Sequence, residues 1–115
     1  MTRGQGWIEE ISTRLSRPRV PHPPEALGLE GVSLRPAAVL IPLYVREREL
    51  WTLFTKRTDR VEHHKGQISF PGGGREEKDQ TLWHTAIRET EEEIGVPRES
   101  VRLIGPLRTL VTVTS

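Results

Sequence analysis

The amino-acid sequence predicts an α+β fold, on three observations. Two β-rich runs, "AAVLIPLYV" and "ELWTLFTKR", flank the polar tetrapeptide "RERE" in the manner of a hairpin. From about Asp79 to Ile94 the apolar residues switch to helical spacing. After that helix, "VRLIGPL" and "TLVTVT" return to strand-like patterning. Strands that precede and follow a helix without strict alternation make α+β the expected class.

The elements follow in chain order. In "GWIEEISTRLS", Trp7, Ile8, Ile11 and Leu15 share one helical face, with acids early and an arginine late, so a short amphipathic helix is expected. "RPRVPHPPEALGLEGVSLRP" holds five prolines and reads as an extended linker. Residues 1–36 therefore form a helix and a Pro-rich connection, and residues 37–115 form the domain. The inner part of "AAVLIPLYV" is almost continuously apolar, as in a strand covered on both faces. "TDRVEHHKGQ" is a polar loop, "ISFP" a short strand, and "GGGREEKD" a glycine-rich loop. Asp79 or Thr81 can cap the following helix, and Gly95 with Pro97 stops it. Leu82, Trp83, Ala86, Ile87, Thr90 and Ile94 form its expected buried stripe. Trp51 and Trp83 suit core or interface packing, and Trp7 suits docking of the N-terminal helix.

Composition narrows the function classes. At 115 residues there is room for one small domain. A net charge of +1 argues against nucleic-acid binding driven by bulk electrostatics. No cysteine is present, which removes disulfides, thiolate metal sites and a cysteine nucleophile. No apolar run reaches the roughly 20 residues of a membrane span, and the first residues lack a signal-peptide core. A cytoplasmic protein is the expectation.

The chemistry concentrates in "RETEEEIGVP". Glu89, Glu92 and Glu93 stand at i, i+3 and i+4 and share one helix face, whereas Glu91 points away. Three carboxylates on one patch are hard oxygen ligands suited to Mg²⁺ or Mn²⁺. The same run also suits a solvated acidic face, and the glutamates alone leave both readings open. Arg88 is placed to orient a glutamate by a charge-assisted bond. Upstream, Gly72, Gly73 and Gly74 allow close approach of backbone to a ligand, and N–H groups beside a helix start attract phosphate. By itself the glycine run equally suits a flexible turn.

Together these segments resemble the Nudix box: Gly, five residues, Glu, seven residues, Arg-Glu, an apolar residue, any residue, Glu-Glu, any residue, Gly and an apolar residue. In "GGGREEKDQTLWHTAIRETEEEIGV", Gly74, Arg88, Glu89, Glu92, Glu93, Gly95 and Val96 fall in register. Gln80 stands at the first glutamate and Thr90 at an apolar position. The chain is also similar to the coenzyme A subgroup of that family. In "LFTKRTDRVEHHKGQISFPGG", the residues Leu53, Thr55, Arg57, Gly66, Phe70, Pro71, Gly72 and Gly73 match its upstream signature. Glu76 or Glu77, and then Asp79, resemble its displaced acids. Glu62 reverses the charge of the second signature arginine.

The resemblance implies an α/β/α sandwich with a mixed sheet, here incomplete at the C-terminal end. It implies catalytic roles for Arg88, Glu89, Glu92 and Glu93, and metal ligation by the three glutamates. It places substrate contacts at Arg57, Gly72, Gly73 and Gly74. Lys56 is a further candidate for phosphate, and His63 with His64 has the look of a ligand pair or of a solvated loop. The expected reaction is metal-dependent hydrolysis of the diphosphate linkage of coenzyme A, giving 3′,5′-ADP and 4′-phosphopantetheine. The alternatives are another nucleoside diphosphate derivative, or a metal-binding fragment without turnover. An uncovered sheet face would also favour a homodimer.

Overall fold

A computed structural model describes residues 1–17, 31, 33–56 and 66–107. Helix α1 spans Arg3–Leu15 and starts three residues earlier than the apolar spacing indicated. Its cap explains the difference. The Thr2 hydroxyl accepts the Gln5 amide at 3.2 Å, and the Gln5 side chain accepts the Thr2 amide at 2.8 Å, a reciprocal capping box. Glu10 and Arg14 pair one turn apart at 2.9 Å on the outer face.

The strands are shorter and more divided than the sequence suggests. "AAVLIPLYV" is not one strand. It splits into β1 (Ala37–Val39) and β2 (Leu43–Arg46) around Pro42, which has no N–H to give a ladder. The two pieces then take different partners. β2 pairs antiparallel with β3 (Glu49–Thr52), with Leu43 opposite Thr52 and Arg46 opposite Glu49. The turn between them puts Glu47 and Arg48 at φ of 53° and 68°, the doubly left-handed geometry that matches strand twist in a two-residue hairpin. The second run also divides, leaving β4 (Thr55–Lys56), which pairs with β5 (Ile68–Ser69). Between the two pieces, Phe54 stacks on Phe70 with ring centroids 4.6 Å apart.

The glycine loop is a strand. β6 (Gly72–Gly74) runs antiparallel to β1, with Ala37, Ala38 and Val39 opposite Gly74, Gly73 and Gly72. Bonds from Leu40 N–H to the Pro71 carbonyl (2.8 Å) and from Arg75 N–H to the Pro36 carbonyl (2.9 Å) extend the ladder at both ends. Among the described residues every strand pair is antiparallel, and the pairs form three separate two-stranded sheets. Val39, Ile41, Tyr44 and Val45 are exposed, so the expected cover on both faces of the first run is not found.

Helix α2 (Leu82–Ile94) lies on β1 and β6. Thr81 caps its start, and Gly95 at φ of 71° ends it with a bond to the Glu91 carbonyl. Ala86, Ile87 and Thr90 of the expected stripe are buried, Trp83 and Ile94 are half-buried, and Leu82 at the first turn is exposed. Thr85 joins the buried face. The Thr90 hydroxyl, at a position where an apolar residue was expected, donates to the Ala86 carbonyl at 2.7 Å and is satisfied there. After a 3₁₀ turn at Arg98–Ser100, residues 101–107 form no strand, contrary to the pattern of "VRLIGPL". Pro106 lacks a ladder donor, and Gly105 packs against Leu15 of α1, where an added Cβ would lie 2.8 Å from the Leu15 Cβ. "TLVTVT" lies outside the described residues. No described helix is long and apolar enough to cross a membrane.

Helix α1 rests on the β2–β3 hairpin. The Gly4 N–H donates to the Arg48 carbonyl at 2.7 Å, so the helix start is fixed on the hairpin turn. A Cβ at Gly4 would stand 2.8 Å from the Glu49 carbonyl carbon, which is backbone and cannot swing aside. Trp51 closes the hairpin's other side: its indole N–H donates to the Arg46 carbonyl at 3.0 Å, under the Arg46 guanidinium. Trp7 is half-exposed, so the helix docks through its glycine rather than through that ring. Gly4→Ala is expected to cost about 1–3 kcal/mol, as overpacking does. Urea denaturation of the full chain checks this, and an unchanged midpoint would show that α1 does not sit on the hairpin.

Candidate functional site

The site is built where α2 meets β6. Helical spacing puts His84, Arg88 and Glu92 in one row of α2, with Glu89 beside it. The loop from Arg75 to Gln80 then delivers a carboxylate to that row. Glu76 and Asp79 bond reciprocally: the Asp79 N–H reaches the Glu76 carbonyl at 2.9 Å, and the Glu76 N–H reaches Asp79 Oδ2 at 2.9 Å. This tight turn aims Asp79 inward, where only 3% of its surface stays exposed, and leaves Gln80 facing out.

Arg88 and Asp79 form a two-pronged ion pair. Nε donates to Oδ1 and Nη2 to Oδ2, each at 3.0 Å. The Thr85 hydroxyl adds a third side-chain bond to Oδ2 at 3.0 Å. The Arg75 guanidinium holds the same residue from outside, through its carbonyl, at 3.0 and 3.2 Å. The Arg88 bonds and the Glu76 amide hold the Asp79 carboxyl well below its ordinary 3.8, against burial, which acts the other way. The Asp79 carboxylate in turn raises the Arg88 pKa above an already high value, so its charge is permanent.

The remaining donors of Arg88 organise the acidic face. Nη2 also donates to the Gly74 carbonyl at 3.0 Å, tying the helix to β6. Nη1 reaches Glu89 Oε1 at 3.0 Å and Glu92 at 3.3 and 3.4 Å, with Glu76 at 3.5 Å. The guanidinium thus offsets the like-charge repulsion of the run. Glu89 is the most enclosed of the three sequence-predicted glutamates, and its carboxylate lies against Gly73. A Cβ there would fall 2.5 Å from the carboxyl carbon, so glycine is required for the approach. Gly72 is more tightly constrained, since a Cβ on it would collide with the Ala38 carbonyl across the ladder, which is backbone, whereas the Glu89 carboxylate over Gly73 is the end of a side chain.

Of the residues singled out from sequence, Arg88, Glu89, Glu92, Gly73 and Gly74 are brought together. Glu93 is on the same turn of α2 and is exposed. Gly72 serves the ladder between β1 and β6. Arg57, Glu62, His63 and His64 lie outside the described residues. Among the described residues, no group of three or more His, Asp or Glu side chains is arranged to hold a cation. Here Glu89 and Glu92 turn toward Arg88. Their donor set, carboxylate oxygen with no nitrogen or sulfur, matches Mg²⁺ or Mn²⁺. Sequence reasoning gave Asp79 a capping or subgroup role and missed its pairing with Arg88. It also missed Arg75. The signal for the first was an acid one residue ahead of Gln80, in a turn that also holds Glu76 and Glu77.

A protein-family model described as the NUDIX domain matches residues 34–115. The chain is 41% identical over 101 residues to a Klebsiella aerogenes protein named "Uncharacterized Nudix hydrolase NudL", covering 88% of this chain and 78% of that one. A Citrobacter koseri protein of the same name is 44% identical over 85 residues, 74% of this chain and 44% of the relative. One from Yersinia enterocolitica is 45% identical over 74 residues, 64% of this chain and 37% of the relative. The matched region thus spans less than half of the Citrobacter and Yersinia relatives.

Breaking the two-pronged pair has a defined signature. Because the folded-state pKa of Asp79 is depressed, its stabilisation is complete above the ordinary 3.8 and is lost as pH falls below it. Asp79→Asn is therefore expected to lower the melting temperature at pH 7 by roughly 5 °C or more. It should also flatten the acid limb of the melting-temperature profile below about pH 4. Gln80→Ala, on the exposed side of the same turn, should change neither. Thermal scans from pH 3 to 7 check both variants, and equal effects would refute the pairing's importance.

Proposed function

The chain belongs to the Nudix domain family, and on that premise we propose that it carries the diphosphate-handling face of a hydrolase acting on coenzyme A or its derivatives. The products are 3′,5′-ADP and 4′-phosphopantetheine. One observation carries the reading: Arg88, locked to Asp79, gathers Glu89 and Glu92 beside the side-chain-free strand β6. Carboxylates crowded on a helix end repel one another, and this arrangement sets a fixed cation among them while leaving oxygens on the outer side.

Glu89, Glu92 and Glu93 would hold Mg²⁺ or Mn²⁺. When bound, such a cation supplies positive charge to diphosphate oxygens and acidifies a water. The chain's own residues do the rest. Of the proposed contacts at Gly72–Gly74, the open space beside Gly74 leaves room for phosphate to approach the backbone, and Arg88 limits how far Glu89 and Glu92 can turn. Arg57, and Lys56 exposed on β4, are proposed to meet the outer phosphates. Arg88 Nη1, which bonds Glu89 and Glu92, would release these carboxylates to such a cation. Arg88 stays in place through that exchange because Asp79 and the Gly74 carbonyl hold its other two nitrogens.

The coenzyme A preference rests on the segment "HKGQISFPGG" and on the acid displaced from Gln80 to Asp79. The test is turnover with Mn²⁺ of coenzyme A, ADP-ribose, nucleoside triphosphates and dinucleotide polyphosphates, with products separated by chromatography. Coenzyme A is expected to be cleaved fastest, and Glu92→Gln or Glu93→Gln to slow it by about 100-fold or more, the upper end of what losing a supporting residue costs. Faster cleavage of another compound would move the substrate. Manganese binding without any turnover would reduce the chain to a binding module.

A further inference from the structure

A second charged feature lies next to the acidic face and shares Asp79 and Arg88 with the arrangement above. Lys78, Asp79, Gln80, His84, Arg88 and Arg98 line a cleft of about 420 Å³ at the start of α2. Arg88 and Asp79 neutralise each other in their two-pronged pair, which leaves Lys78 and Arg98 as the cations that face it. Arg98, on the 3₁₀ turn after α2, has no carboxylate partner among the described residues. Lys78 meets Glu76 at 3.3 Å, but both side chains are more than half exposed, so the pair is weak beside a phosphate dianion. His84 Nδ1 shares a 2.7 Å bond with the Thr81 hydroxyl, which leaves Nε2 as its group for the cleft. Gln80 adds an amide.

We propose that this cleft is an anion subsite for a phosphate monoester carried by the substrate, separate from its diphosphate linkage. The inference rests on the diphosphatase reading for the position of that linkage. His84, Arg88 and Glu92 follow one another at intervals of four residues, about 6 Å each along the helix. Arg88 is the shared boundary: Nη1 serves the glutamates, and the other side of the guanidinium borders the cleft. A nucleotide with its diphosphate at Glu89 and Glu92 therefore sets a phosphorylated ribose beside Arg88, at the border of the cleft that Lys78, His84 and Arg98 line. The 3′-phosphate of coenzyme A has that placement, whereas ADP-ribose and nucleoside triphosphates carry no such group. The cleft thereby selects among Nudix substrates, using residues outside the "LFTKRTDRVEHHKG" segment.

The experiment is titration calorimetry of the full chain with Mg²⁺, comparing adenosine 3′,5′-bisphosphate with adenosine 5′-monophosphate. The wild-type chain is expected to bind the bisphosphate at least about tenfold more tightly, as one charge-assisted phosphate contact gives. Lys78→Ala with Arg98→Ala should bring the ratio close to one. Arg14→Ala with Arg102→Ala, which removes the same charge elsewhere, should leave the ratio unchanged. A wild-type ratio near one, or an equal loss in both double variants, overturns the subsite. Binding without turnover makes the outcomes separable: selective binding by a chain that cleaves nothing keeps the cleft and removes the hydrolase reading. Cleavage of coenzyme A with a ratio near one does the reverse.

Discussion

The structure around the site depends on one constraint: a planar guanidinium must satisfy a buried carboxylate on one edge and crowded glutamates on another. Arg88 meets this because its donors point in fixed directions from a single charge. Two prongs on Asp79 set the plane of the group, and Nη2 then falls on the Gly74 carbonyl and Nη1 on Glu89 and Glu92. Lysine carries the same charge but as a rotating point with no plane to fix, so it could not hold strand, turn and helix in one orientation. The direction of causation runs from Asp79 outward. Without the carboxylate behind it, the guanidinium would be drawn wholly toward the glutamates.

The second constraint is distance, and the glycines meet it. A helix normally stands off a sheet by the depth of the side chains between them. Here the strand beneath α2 has no side chains, and two of its partners across the ladder are alanines. The Glu89 carboxylate can therefore lie on backbone. The outcome is an acidic group close to peptide N–H and C=O groups, which suits polar ligand exchange better than apolar packing. The same closeness explains the small core under this end of α2, where two threonines are buried with their hydroxyls bonded.

Helix α2, its caps and its acidic face were legible because they are local: spacing, Thr81 and Gly95 specify them without reference to the rest of the chain. The strand boundaries were not, because "AAVLIPLYV" has strand propensity throughout and only the choice of partners divides it at Pro42. The glycine run was misread for a related reason. Glycine is a poor strand former, and its place in β6 follows from its ladder with β1 rather than from its own preference. Asp79 was half legible. An acid in a turn before a helix reads as a cap, and only the turn between Glu76 and Asp79 rotates it toward Arg88, nine residues on. Thr81 takes the cap instead.

That turn also connects the two charged surfaces. The Nudix pattern places an acid at position 80, and this chain places it at 79. Along a tight turn, neighbouring residues point to different sides, so moving the acid by one residue while keeping it on Arg88 forces position 80 outward. Gln80 then faces the cleft as a neutral amide between Lys78 and His84. A glutamate there would set a negative charge among the cations and repel an incoming phosphate. The displaced acid and the cationic cleft are thus one change seen from two sides. Keeping the carboxylate for Arg88 behind the turn frees the front of the turn to carry positive charge.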